Sequence, residues 1–300
     1  MSGVYLIIAA ILTVWLASVS WWTFIKSRHL FARQSKLGKD YEQLKGREFN
    51  LLRIEVEKHK RLIDLLQANK GDRGALKYQF TAQFSEDLVL YEFFHDQPPG
   101  FFVEAGAYDG ITFSNTYLLE ALGWKGLLVE PHPGLAQSCR IQRPDCEVLQ
   151  KALGPKDARG TIEFTCADGA TGGSPLSFTE ASQEHIDRCV NEGYSFRRIQ
   201  VEVESLDSIL ETRTQRVDFL SLDIEGYELE ALNGFDLPRF LPSVLLIELC
   251  FDNRDEALKK YVGSFGYLAV GDVGCNRFFC RQEDEFRLKG AIHVLSDERN

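Results

Sequence analysis

The chain has 300 residues, of which 44% are hydrophobic and 26% are charged, and this composition excludes a mostly disordered chain. Its net charge of -10 is uneven: residues 26–77 hold 14 Lys and Arg against 7 Asp and Glu, net +7, and residues 78–300 hold 20 against 37, net -17. The acidic part argues against a nucleic-acid partner, because phosphate binding depends on basic surface.

The first predicted element is a membrane anchor within residues 1–25. The run from Gly3 to Ile25 has no charged residue and exceeds the roughly 20 helical residues that cross a hydrocarbon core. A cleaved signal peptide is the alternative, but Trp21 and Trp22 stand where small cleavage-site residues belong. Lys and Arg follow the run and do not precede it, which predicts a single-pass membrane protein with the rest of the chain on the cytoplasmic side.

Residues 26–77 are predicted to form a basic helical stalk that suits an anionic membrane surface. Within it, side chains recur at alternating spacings of three and four, the pattern of a short coiled coil. This seam consists of Phe49, Leu52, Val56, His59, Ile63 and Leu66. It predicts a homodimer through the stalk. The alternative is a single amphipathic helix that lies on lipid or on the domain, because His59 is a poor core residue.

Residues 78–300 alternate strand and helix patterns, which predicts one α/β domain with a largely parallel sheet. The predicted strands cover residues 101–104, 126–130, 147–151, 199–203, 217–222 and 244–249, with a closing pair at 267–270 and 277–281. The predicted helices cover residues 114–122, 205–211, 227–232 and 255–265. Residues 168–175 are predicted to form a flexible loop and a lid.

The stretch FFVEAGAYDG at residues 101–110 follows the first of these strands, at the sheet edge where α/β proteins bind ligands. It lacks the G-x-G-x-x-G frame of a dinucleotide site, so NAD is disfavoured. Its glycines still permit close backbone approach, and Glu130 ends the next strand, where an acid can accept the hydroxyls of a ribose. An acidic, glycine-lined cleft fits a cationic nucleoside without phosphates, and S-adenosylmethionine is such a ligand.

A second group of acids, in LSLDIEGYE at residues 220–228, follows a later strand. Asp223 and Glu225 are predicted at the same sheet edge, where crowded carboxylates raise one another's pKa and one becomes a general base. They could instead bind a divalent metal, although no other spacing in the chain, cysteines included, supports one. Glu228 is better explained by the N-terminus of the following helix, and Glu248 is a further acid at this edge.

Five ordered blocks of the chain resemble the FkbM-type methyltransferases. They are QFSEDLVLYEFF, FFVEAGAYDGITFSNTYLLE, GWKGLLVEPHP, VLQKALG and VDFLSLDIEGYELEALNGF. The resemblance runs from about residue 83 to residue 281. It implies a class I, Rossmann-like fold with a seven-stranded, mostly parallel sheet whose last strand is antiparallel. It also implies S-adenosylmethionine as cofactor and methyl transfer to a hydroxyl, often on a sugar or a glycosylated natural product.

The resemblance further implies roles for individual residues. The methyl-donor block is matched by Glu104, Gly106, Tyr108, Asp109 and Gly110, the ribose acid by Glu130, the adenine-side segment by Lys151 and Ala152, and the D-x-E-G block by Asp223 and Glu225. We interpret the last pair as base and substrate-orienting acid. Many relatives have lysine in place of Ser221. This difference weakens the inference that the chain shares their substrate.

Together these features predict a membrane-anchored O-methyltransferase that acts on a small-molecule or glycan hydroxyl. The alternatives are a catalytically silent scaffold of the same fold and an enzyme acting on protein or lipid.

Overall fold

A computed structural model describes much of the chain, which divides into two compact units, residues 1–55 and 56–300. The described residues are 50–69, 78–169, 172–173, 186–187, 190–191, 193–249 and 254–295. None of the helices within these ranges is both long enough and apolar enough to cross a membrane. The predicted span at residues 3–25 lies outside them and stays a prediction, as does the division into anchor, stalk and domain.

The second unit is built on a mostly parallel sheet of seven strands in the order β3-β2-β1-β8-β9-β11-β10. The described strands are β1 (Phe101–Ala105), β2 (Lys125–Val129), β3 (Glu147–Leu149), β4 (Ala152–Leu153), β5 (Thr161–Gly169), β6 (Gly172–Gly173), β7 (Ser195–Glu204), β8 (Phe219–Leu222), β9 (Val244–Glu248), β10 (Tyr267–Val273) and β11 (Asn276–Arg281). The last strand, β11, lies between β9 and β10 and is antiparallel to both. The sheet implied by the family resemblance is therefore confirmed.

The central strands are apolar runs because both faces of the sheet are covered. Along β1, Phe101, Val103 and Ala105 pack into one hydrophobic cluster, whereas Phe102 packs into a second cluster on the opposite face. Each of these four side chains is at most 5% exposed. Alternate residues of the strand therefore face two separate layers, and both layers require apolar side chains. Glu104 is the single polar residue of β1, and it is buried as well.

Helices flank the sheet, and several begin at a side chain that accepts a hydrogen bond from the first helical turn. The described helices are α1 (residues 50–68), α2 (Glu86–Phe94), α3 (Tyr117–Ala121), α4 (Pro133–Gln142), α5 (Leu206–Ile209), α6 (Glu228–Asn233), α7 (Leu237–Phe240), α8 (Arg254–Ser264) and α9 (Glu285–His293). His132, Ser205 and Asp236 cap α4, α5 and α7 in this way. Such caps satisfy backbone N–H groups that have no partner within the helix.

A second sheet has the order β4-β7-β5-β6. The strand predicted at residues 199–203 is confirmed as part of β7, and it lies in this sheet rather than in the seven-stranded one. Its antiparallel partner β5 was not predicted. Along β5, buried Phe164 and Cys166 alternate with more exposed residues, so the strand lacks the apolar run that marks the core strands.

Several predicted boundaries also differ. The strand predicted at residues 147–151 is interrupted, because β3 ends at Leu149 and the chain crosses to β4 in the second sheet. The flexible loop predicted at residues 168–175 is wrong at its start, where β5 continues through Gly169 and pairs with β6. The helix predicted from residue 114 begins only at Tyr117.

Candidate active site

The ends of β1 and β8 touch each other at Gly106. The amide of Asp223 donates to the carbonyl of Ala105 over 3.1 Å. Gly106 has φ +82°, and a Cβ at this position would lie 1.7 Å from the carbonyl oxygen of Asp223. Only glycine fits this approach, so the close contact joins the first methyl-donor block to the D-x-E-G block.

The loop after Gly106 is held by its own side chains. Asp109 accepts hydrogen bonds from the backbone amides of Ile111 and Thr112, at 2.9 and 2.7 Å. Tyr108 and Gly110 have positive φ values of 51° and 89°, which bend the chain back on itself. The carboxylate of Asp109 therefore shapes the loop, and its predicted contact with the methyl donor stays a prediction.

Glu104, the polar residue of β1, is 3% exposed and receives the loop that follows. Its carboxylate accepts from the Ser114 hydroxyl at 2.9 Å, the Asn115 amide at 2.8 Å and the Thr116 hydroxyl at 2.6 Å. The Ser114 hydroxyl oxygen also accepts from the Thr116 amide at 3.2 Å, which lies before the first residue of α3 at Tyr117, so Ser114 does not cap the helix as predicted. We infer that Glu104 positions residues 106–114, the predicted methyl-donor loop, through these bonds. Direct contact with the donor is a separate prediction.

Arg143, which the sequence analysis missed, holds the other side of this loop. Its side chain is fully buried, and its guanidinium donates to the Gly110 carbonyl at 3.0 Å, the Ser114 hydroxyl at 3.1 Å and the Thr116 hydroxyl at 2.9 Å. It also pairs with Glu120. A lone arginine beyond the end of α4 carries no motif, so only the three-dimensional arrangement reveals it.

Glu130 lies directly after β2 and beside the same loop. One carboxylate oxygen accepts from the Tyr108 amide at 3.0 Å and the other from the His132 amide at 2.8 Å. Burial raises the pKa of Glu130 to about 7. Since each carboxylate oxygen can accept two hydrogen bonds, both retain capacity for a hydroxyl of a bound nucleoside.

The adenine-side residues predicted from the resemblance lie where the chain passes between the two sheets. Lys151 forms ion pairs with Glu204 at 2.6 Å and with Glu202 at 3.4 Å. Ala152 is buried in β4 opposite Val203. Their contact with a nucleoside stays a prediction.

The D-x-E-G turn is closed by Glu228. Its carboxylate accepts from the amides of Ile224 and Gly226, both at 3.0 Å, just where α6 begins. This agrees with the helix-terminal role expected from the sequence. Glu225 has φ +57°, a conformation that is uncommon for a residue with a side chain and is often found at functional sites.

Asp223, at the start of the turn, carries a buried carboxyl group with a strongly perturbed pKa. Burial, followed by the charge and a hydrogen bond of Glu248, raises the pKa of Asp223 well above its usual range. Glu248 ends β9, the strand next to β8. Two carboxyl groups this close cannot both ionise easily, so one of them tends to keep its proton while the other can accept the proton of another group.

Two residues outside the predicted set, Asn276 and Glu86, lie near the carboxyl groups of Glu248 and Asp223. Asn276 of β11 pairs with Glu248 across the sheet and donates to the carboxylate of Glu86 at 2.6 Å. Glu86 opens α2 in the first sequence block, which the sequence analysis left without a role. No cluster of three or more metal-binding side chains occurs among the described residues.

Ser221, where many relatives carry lysine, lies beneath the site. It is 2% exposed, and its hydroxyl accepts from the side-chain amide of Asn115 at 3.2 Å. The position thus links β8 to the chain beyond the methyl-donor loop without adding a charge.

The strand order, the glycine turn after β1 and the acid after β2 define a methyltransferase-like α/β fold. The sequence profile of the methyltransferase FkbM domain matches residues 104–269, and the chain belongs to this family. Among solved structures, a proposed RNA methyltransferase from Pyrococcus horikoshii is similar at 12% identity and a TM-score of 0.36, over 75% of this chain and 96% of that chain. No curated protein matches the chain.

Proposed function

We propose that the protein is a membrane-anchored, S-adenosylmethionine-dependent O-methyltransferase that acts on a hydroxyl of a sugar, a glycolipid or a glycosylated metabolite. The observation that carries this proposal is the contact of Gly106 with the backbone of Asp223. It sets the glycine loop of a methyltransferase fold directly beside a carboxyl group whose pKa is raised.

The residues around the loop suit S-adenosylmethionine. Glu130 presents a buried carboxylate with free acceptor capacity, as the ribose hydroxyls require. The acidic domain favours a ligand that carries a positive sulfur and an amino group. When bound, S-adenosylmethionine supplies a methyl group activated by that sulfur. Glu104 and Arg143 would act indirectly, by fixing the loop that lies against the ligand.

Asp223 is proposed to remove the proton of the acceptor hydroxyl, and Glu225 to orient that hydroxyl. A base works best when its pKa is near the operating pH, and the neighbouring Glu248 moves the pKa of Asp223 in this direction. A positioned general base contributes about 10²- to 10⁴-fold to a rate.

The class of methyl acceptor is inferred from the proposed location of the enzyme at a membrane. Residues 3–25 would hold the domain at a membrane, with the +7 stalk against anionic lipid on the cytoplasmic side. An enzyme held there meets lipid-linked glycans readily. The solved methyltransferase structure shares only 12% identity with the chain and does not indicate an acceptor.

The cofactor is tested first, by calorimetric titration of S-adenosylmethionine into the full chain in detergent. We expect one-to-one binding that Glu130→Gln weakens about 10- to 100-fold, the effect of losing hydrogen bonds to a charged acceptor. The matched control is Glu163→Gln on β5, an exposed acid paired with Arg198. A folded chain that binds no S-adenosylmethionine would refute the enzyme and favour a silent scaffold.

The acceptor is tested next, by transfer of labelled methyl groups to glycan and glycolipid fractions, followed by mass spectrometry of the released monosaccharides. O-methylated sugars would support the proposal. Label found only in protein, or only in the lipid portion, would assign a different acceptor.

A further inference from the structure

Helix α1 has one face fixed to the methyltransferase domain. Leu65 packs in a buried cluster with Tyr91 and Leu118, and Arg61 forms an ion pair with Glu92 of α2. This face of the helix therefore lies on the domain. These contacts also fix which side of the helix points outward.

The outward face carries the predicted seam. Val56, Ile63 and Leu66 are 45%, 51% and 45% exposed, and His59 between them is exposed too. Leu52, one turn earlier, is 63% exposed. A row of large apolar side chains on a surface helix marks a contact site more often than a solvated face.

We propose that this seam, residues 52–66, binds the same seam of a second copy in a parallel, two-stranded coiled coil. In heptad terms Val56 and Ile63 occupy a positions, and Leu52 and Leu66 occupy d positions. β-Branched residues at a with leucine at d favour two parallel strands. His59 takes the remaining d position and makes that layer polar.

The charges beside the seam complement each other in the parallel register. Glu55 occupies a g position and Lys60 the following e position, which face each other across a parallel pair. Lys60 lies beside Glu57 of its own helix but its side chain stays 57% exposed and accessible to a partner. An antiparallel pair would instead bring e positions together, and these include basic Arg53 and Lys60.

A lipid surface is the competing occupant, and geometry favours the second copy. The seam is narrow, with acidic Glu55 beside it, whereas a lipid-binding helix presents a broad apolar face flanked by basic residues. If residues 3–25 anchor both chains in one membrane, they also impose the parallel orientation and raise the effective concentration. The parallel register does not depend on the proposed enzymatic function.

Cysteine cross-linking of the full chain in detergent tests the register. Leu52→Cys and Leu66→Cys lie about 21 Å apart along the helix, 14 residues at 1.5 Å each. In a parallel pair each variant cross-links to itself with a short thiol-specific reagent. The control is Asp64→Cys, at a b position outside the seam, and the unsubstituted chain gives the background from native cysteines. Cross-linking only in a mixture of the two variants would show an antiparallel pair and overturn the proposal.

Light scattering tests the association itself. We expect a dimeric mass that Ile63→Asp halves, while the domain stays folded because the Ile63 side chain is exposed rather than packed in the core. Ile141→Asp is the matched control, since Ile141 is 67% exposed on α4, outside the seam. A monomeric native chain, or a mass that Ile63→Asp leaves unchanged, would overturn the proposal. Loss of binding to anionic vesicles without a change in mass would identify the face as a lipid contact instead.

Discussion

The guanidinium of Arg143 lies 3.7 Å from the carboxylate of Glu104, and both groups are almost wholly buried. Glu104 belongs to β1 and Arg143 follows α4, so this pair joins the central sheet to a flanking helix around the methyl-donor loop. Buried charges of this kind are costly unless each keeps its partners.

Arg143→Ala should therefore destabilise the domain strongly. Removing one partner of a buried ion pair costs about 3–5 kcal/mol, which for a domain of this size lowers the melting temperature by roughly 10 °C. Thermal unfolding of the purified chain measures the effect. Arg140→Ala removes an exposed arginine from the same helix and should change little; equal melting temperatures for both variants would show that the buried network contributes no stability.

Gly106→Ala should abolish binding of the methyl donor as well as lower stability. The new methyl group would overlap the Asp223 carbonyl, forcing the ends of β1 and β8 apart. Gly160→Ala is the control, because Gly160 also has a positive φ but no atom lies within 4 Å of the place its new methyl group would take. The control should lose only about 1 kcal/mol from backbone strain. Calorimetry and thermal unfolding compare the two; similar losses in both would contradict the close contact.

Asp87→Asn should make stability less dependent on pH. Burial raises the pKa of Asp87 from 3.8 to about 7, so the folded state favours the protonated acid. Its stabilising effect is full below about pH 4 and is lost as pH rises through 7. Between pH 5 and pH 8 we expect the native chain to lose about 3 kcal/mol through this group.

The asparagine can still accept the amide hydrogens of Thr81 and Ala82. Denaturant titrations at pH 5 and pH 8 should show the smaller loss in Asp87→Asn, whereas exposed Asp64→Asn should follow the native chain. An unchanged pH dependence in Asp87→Asn would show that this carboxyl group is ionised at neutral pH in the folded protein.

Asp223→Asn should reduce methyl transfer at least about 100-fold, the loss expected of a general base, and leave binding of S-adenosylmethionine nearly intact. Single-turnover rates and calorimetry separate the two effects. The control is Asp272→Asn on β10, where the acid pairs with Arg277 at the surface. Turnover that survives in Asp223→Asn would refute the assignment of the base.

Glu248→Gln should move the pH dependence of turnover. The charge of Glu248 helps to raise the pKa of Asp223, so its removal lowers that pKa. Because the base must be unprotonated, the acidic limb of the rate profile should shift to lower pH. If Glu248 had only a structural role, its removal would lower the rate at every pH without moving the acidic limb. The position of the limb therefore distinguishes a structural role from an effect on the pKa of Asp223.

Much of the central sheet could be predicted because its strands are buried on both faces. The predicted end of β9 lies within one residue of the observed end, since VLLIE is a continuous apolar run. β5 was missed for the opposite reason, because only alternate residues face a core. A strand's own residues also do not specify its sheet, so the second sheet that contains β7 could not be predicted.

The site shows a similar division. Residues at strand ends, such as Glu130 and Asp223, could be located because the edge of a parallel sheet gathers them. The hydrogen bonds of Glu104 and Asp109 could not be predicted, since they depend on how the loop folds back onto its own acids. The contacts of Arg143 could not be predicted either, because no motif in or after α4 indicates which residues its side chain binds.

The position of β11 has a consequence for the synthesis of the chain. Of the described strands it leaves the ribosome last, yet it pairs with β9 on one side and β10 on the other. Until residue 281 has emerged, β9 presents an open edge and β10 lacks its only strand partner in the described sheet. Nascent or prematurely terminated chains would therefore expose apolar edges that chaperones and proteases recognise. Insertion of β11 thus covers the edge of β9 and gives β10 its strand partner.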